Sequence, residues 1–196
     1  MDTTTRTRIR RTAAALAIAA TAMTLGATHA GPAPRPLTFT GAEAEDEAAV
    51  DWALHRFRTA GLGDVPPLEV RLHRSRDACD GGLGLYYMNR IDLCTKDSSE
   101  DYARKYALHE IAHAWAEANL DPEVMRRFMD ARGLDAWNDK RFPWKERGTE
   151  QAAEIIAWGL GDGEVEPMLG EPLESKALAG LYDLLTGRAP ITSASA

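Results

Sequence analysis

"SSEDYARKYALHEIAHAWAEANL", Ser98 to Leu120, is the stretch on which the reading of this chain turns. Tyr102, Leu108, Ile111, Ala112 and Trp115 recur at helical spacing, and Ser98 followed by Asp101 makes a start like a capping box. The segment therefore reads as one helix. It carries His109 and His113 four residues apart, with Glu110 directly after the first. Residues i and i+4 lie on one side of a helix, so both imidazoles can address a single ion. Glu110 sits about 100° further round, beside such an ion rather than on it, where a carboxylate can take a proton from metal-activated water. Neutral imidazoles favour Zn2+ among the common ions, here one per chain.

A catalytic zinc site takes three protein ligands and leaves a fourth position open. Ala116 and Asn119 stand where a metzincin would carry glycine and a third histidine, so that pattern fails. His55 and His73 lie upstream, at no recognised third-ligand position. Downstream, "TEQAAEIIAWGL" (Thr149 to Leu160) reads as a second helix that Gly159 and Gly161 help to end. Glu150 and Glu154 fall four apart on it. One can bind the metal, and the other can accept a hydrogen bond from a bound imidazole and hold its tautomer.

"HEIAH" followed by Glu150-x-x-Ala153-Glu154-x-Ile156-Ala157-x-x-Leu160 resembles the gluzincin branch of the zinc metallopeptidases over roughly residues 68 to 160. The resemblance implies that His109, His113 and Glu150 bind zinc, that Glu110 is the catalytic base and that Glu154 is the outer partner of a ligand. It implies a zincin-like fold: a short sheet, an active-site helix, a second helix supplying the glutamate, and an edge strand that binds substrate backbone. The implied reaction is hydrolysis of a peptide or protein substrate. Glu154 departs from the more common Asp or Asn at its position. Tyr182 and Arg188 are the available candidates for stabilising an oxyanion.

The remaining elements support an α+β domain over residues 43–188. A helix is expected from 43 to 60, where Val50, Ala53, Leu54 and Phe57 share a face. "LEVRLHR" (Leu68 to Arg74) alternates as a strand does, and "LYYMNRIDLC" (Leu85 to Cys94) reads as a second strand, the match to the substrate-binding edge. Asp121, Pro122 and Gly133 delimit a helix by N-cap, first-turn proline and terminal glycine. The stretch from Leu134 to Arg147, with Trp137, Phe142 and Trp144, looks irregular, and Glu171 to Gly187 reads as a last helix. The proline-rich residues 31–42 are expected to form a flexible extended leader, and 189–196 a disordered tail.

Residues 1–30 show the order of a secretory signal: Arg6, Arg8, Arg10 and Arg11, then an apolar run, then small residues at Thr28 and Ala30. Cleavage after Ala30 would make the protein secreted. The apolar run is shorter than the ~18 residues of a membrane span, so no stable membrane insertion is expected once it is removed. The whole chain of 196 residues has 23 basic and 30 acidic side chains. Removing the first thirty takes away four arginines and one aspartate, leaving a charge of about −10. Such an acidic surface without basic runs argues against nucleic acid as a partner. Cys79 and Cys94, two cysteines in an exported chain, read as one disulfide. Two other functions stay open: a secreted zinc-binding protein of the same fold without turnover, acting as an interaction or inhibitory module, and an acidic structural domain with no metal.

Overall fold

A computed structural model describes residues 37–41, 44–63, 65–95, 98–161 and 167–191. The expected signal sequence, most of the expected leader and the last five residues lie outside them. Four strands, β1 (Leu37–Thr40), β2 (Leu68–Leu72), β3 (Gly84–Tyr87) and β4 (Arg90–Leu93), form one sheet in the order β1-β2-β4-β3. β1, β2 and β4 run parallel, and β3 is antiparallel to β4 at the edge. Five helices accompany it: α1 (Ala44–Thr59), α2 (Glu100–Asn119), α3 (Pro122–Arg132), α4 (Gly148–Leu160) and α5 (Ser175–Thr186). The class is α+β. Among the described residues no helix is long and apolar enough to cross a membrane.

Strand alternation divides the sheet cleanly. Leu37, Leu68, Val70, Ile91 and Leu93 are buried in the core, while the residues between them carry charge on the other face. There Arg71 donates to Glu69, and buried Asp92 is held by Arg90 Nε at 2.9 Å and His73 Nε2 at 2.6 Å. His73 is thus committed to the outer face of the sheet. His55 is exposed on α1, 3.4 Å from the Thr59 hydroxyl. Neither is a metal ligand.

The leader is not wholly free. Leu37–Thr40 pairs with β2 residue for residue, Leu37 opposite Leu68, because two apolar side chains follow the prolines and can be buried by that pairing. The expected strand from Leu85 to Cys94 is instead a hairpin. Met88 and Asn89 both take positive φ, 45° and 62°, the backbone of a tight two-residue turn. No glycine announces that turn, and Met88 is 71% exposed on it. The start of α2 is shifted by one residue: Ser99, not Ser98, accepts the Tyr102 N–H. Asp121 and Gly133 cap α3 as expected, with the Asp121 carboxylate accepting the Glu123 and Val124 N–H groups at 2.9 Å.

α2 and α4 lie side by side at the centre. α2 buries Leu108, Ile111 and Trp115, the last donating its indole N–H to Leu62 O at 2.8 Å. α4 buries nearly every side chain from Gln151 to Ala157. Gly159 does not end it. A Cβ there would lie 2.1 Å from the Tyr182 ring, so glycine is required for α5 to pack against α4. Beyond Thr186 the Ile191 N–H donates to Gly159 O at 2.8 Å, and of the expected tail residues 189–191 are described while 192–196 lie outside the described residues.

The cysteines are joined. Cys79–Cys94 spans a Cα–Cα distance of 6.3 Å and ties the 3-10 turn Arg76–Cys79 to the end of β4. Cys94 N–H also donates to Leu83 O, which holds the approach to β3.

Candidate metal centre

His109 and His113 project from one side of α2, and Glu150 and Glu154 from one side of α4. The two i, i+4 pairs face each other across the helix contact. His113 Nε2 lies 3.1 Å from His109 Nε2 and 3.1 Å from Glu150 Oε2, and His109 Nε2 lies 3.4 Å from the same oxygen. Three potential ligand atoms thus form a nearly equilateral triangle. Bonds of about 2.0–2.1 Å at tetrahedral angles place ligand atoms about 3.3 Å apart. The donor set fits a tetrahedral cation with a fourth position open, and this His109–His113–Glu150 group can hold a metal ion.

Glu154 lies behind the group. Its Oε1 is 3.2 Å from His109 Nδ1, and neither atom has another partner. The contact is close enough for an ion pair although its angle is poor for a hydrogen bond. The other oxygen, Oε2, accepts the Met168 N–H at 2.9 Å and lies 3.6 Å from Lys105 Nζ, itself nearly buried. A carboxylate held on that side can orient the imidazole and aim its Nε2 at the ion.

Electrostatics follow from this packing in the metal-free state. Burial favours neutral His109, but the Glu150 and Glu154 carboxylates against it, with Glu110 nearby, outweigh it and raise the imidazole to about 10. Burial likewise opposes ionised Glu150, and its bonds to His109 and His113 win, lowering it to about 2. Glu154 is lowered too, its own burial outweighed by His109, Lys105 and the Met168 N–H. Glu110 moves the other way, because desolvation raises it more than the imidazoles lower it.

Glu110 is buried beside the group and directly under β3. A Cβ on Gly84 would lie 2.2 Å from Glu110 Oε1, so the edge strand passes against the carboxylate with no room for a side chain. Two aromatic rings flank the imidazoles. Tyr86 of β3 stacks on His113 at 6.1 Å and donates its hydroxyl to Glu117 at 2.7 Å; burial and that bond raise its phenol to about 12. Trp144 stacks on His109 at 5.8 Å. Gly84, Tyr86, Lys105 and the Met168 N–H have no motif to announce them. Trp144 stood out in the sequence only as one of three aromatics in an irregular stretch.

The five residues singled out in the two helical motifs are therefore brought together. The two oxyanion candidates are not among them. Tyr182 is buried against Gly159, nine residues along α4 from Glu150 and so about 13 Å away by helical rise. Arg188 approaches Gly61 at the end of α1.

Fold and site together define an α+β domain in which two histidines and a glutamate, largely buried, can hold a metal ion. Comparison with protein-family models, with curated proteins and with solved structures finds no match to this chain.

Proposed function

We propose that this chain is an exported zinc-dependent peptidase of zincin type, on the gluzincin pattern. The observation that carries this reading is the convergence of His109 Nε2, His113 Nε2 and Glu150 Oε2 at tetrahedral spacing with Glu110 alongside. Zinc held there supplies Lewis acidity, polarising a carbonyl and lowering the pKa of water towards about 7. Glu110 takes the proton of the attacking water and gives it to the leaving amine. Glu154 keeps His109 in the tautomer whose Nε2 faces the ion. β3 is the edge strand among the described residues, where an extended peptide can add alongside it, and Gly84 lets that strand run directly over Glu110. The disulfide supports an oxidising compartment and so the export expected from residues 1–30.

The second reading is a zinc-binding module of the same architecture without turnover. It is favoured by the positions of Tyr182 and Arg188, which leave the site without either oxyanion candidate.

Zinc content and peptide hydrolysis, measured together on purified variants, separate the two. The first reading expects about one zinc per chain in both wild type and Glu110→Gln, with hydrolysis falling ~10²-fold or more in the variant. His113→Ala and Glu150→Ala should lose zinc, and Glu154→Ala should lose about 10–100-fold in affinity. Zinc without hydrolysis in wild type leaves the binding module. Zinc content unchanged in every variant removes both.

A further inference from the structure

An aromatic side chain open to water beside a cluster of convergent polar groups is a candidate binding contact. Trp144 is such a case, 38% exposed while its inner face stacks on His109. Its position is set by backbone rather than by burial of its ring. The 3-10 turn Trp144–Glu146 is held where Gln151 Nε2 donates to Lys145 O at 2.8 Å. Arg132 Nε fixes Gln151 in turn, donating to its Oε1 at 2.7 Å, and Arg147 Nε donates to Phe142 O. α3, α4 and the loop between them thus hold the partly exposed indole beside the ligand group.

Tyr86 stacks on the other imidazole, His113, whose ring is nearly perpendicular to that of His109. Aromatic or bulky apolar side chains of a ligand suit the exposed part of the Trp144 indole.

Resting on the peptidase reading, we infer that Trp144 is the specificity-determining residue of the site. Its exposed part packs against an aromatic or bulky apolar side chain of a peptide beside the bond to be cut. The competing role for Trp144 is to shelter His109 from water, which would affect every ligand alike.

The test uses zinc-loaded Glu110→Gln protein, which binds without turnover, and three blocked pentapeptides: all-alanine, and the same with one central Phe or Asp. Calorimetry should find the Phe peptide bound ~10-fold or more tightly than the alanine peptide, as expected for burying much of a Phe side chain. The Asp peptide, whose side chain gains nothing from an apolar ring, should show no dependence on Trp144. Adding Trp144→Ala should erase the preference for Phe while zinc content stays at one per chain, and Trp144→Phe should keep most of it. The inference is overturned if the Phe preference survives Trp144→Ala. It is overturned equally if none of the three peptides binds, or if the variant weakens all three peptides and zinc together. Hydrolysis of the alanine peptide by wild type tests the peptidase reading independently, so the two can fail separately.

Discussion

A missing side chain is as consequential at this site as those present. Gly84 has no positive φ to justify glycine; what excludes a side chain is the Glu110 carboxylate, 2.2 Å from where a Cβ would stand. Gly84→Ala should therefore push Glu110 out of place. Hydrolysis should fall ~10²-fold, as for loss of the base, with zinc retained. Overpacking should also lower folding stability by about 1–3 kcal/mol. Shortening the neighbour relieves that clash, so Gly84→Ala combined with Glu110→Asp should recover much of the stability in a double-mutant cycle on metal-free protein. Additive losses in the cycle would show that the two residues do not compete for space.

Among the elements, the β3–β4 hairpin depends most on outside support. It is short, lies at the sheet edge and turns through a methionine in the left-handed region. The disulfide anchors it from the preceding turn, closing a loop of sequence separation 15. On the chain-entropy account such a link contributes ~3 kcal/mol. Cys79→Ser with Cys94→Ser should lower the denaturant-derived stability by about that amount. It should also weaken peptide binding to the zinc-loaded protein, because the strand over Glu110 loses its anchor. Unchanged stability and binding would mean that the Cys94 N–H to Leu83 O bond and the sheet pairing hold the hairpin without help.

Over the whole molecule, a metal ion held by His109, His113 and Glu150 would act as a cross-link between α2 and α4, the two helices that form the centre of the domain. A ligand at 100 times its dissociation constant stabilises the native state by ~2.7 kcal/mol, which moves the melting temperature of a domain this size by roughly 10 °C. Chelation should lower it by that order and zinc should restore it. Loading also has a definite proton balance. Metal-free His109, raised to about 10, carries a proton at neutral pH that the metal must displace. The free state therefore binds more protons than the loaded state, and zinc affinity must rise with pH across the neutral range. Calorimetry in two buffers of different ionisation enthalpy should find about one proton released per zinc at pH 7. Release of none would show His109 already neutral.

The α2 and α4 motifs were legible from sequence because helical geometry is local. Spacing of four puts His109 with His113 and Glu150 with Glu154 whatever the rest of the chain does. The caps of α3 and the phase of β2 were readable for the same reason. That one cysteine pair is linked followed from count and context. What spacing could not say is which helix faces which. Only the packing of α2 against α4 brings Glu150 Oε2 to the two imidazoles, puts Glu154 behind His109 and carries Tyr182 and Arg188 elsewhere. Tertiary structure likewise decided that Leu37–Thr40 pairs with β2 and that Leu85 to Cys94 folds back on itself. The first strand exists because a partner strand buries Leu37 and Phe39, and the turn because pairing β3 with β4 outweighs the cost of a left-handed methionine. Gly84 and Trp144 acquire meaning only from neighbours distant in the chain, since nothing within a few residues of either shows that a carboxylate or an imidazole will lie against it.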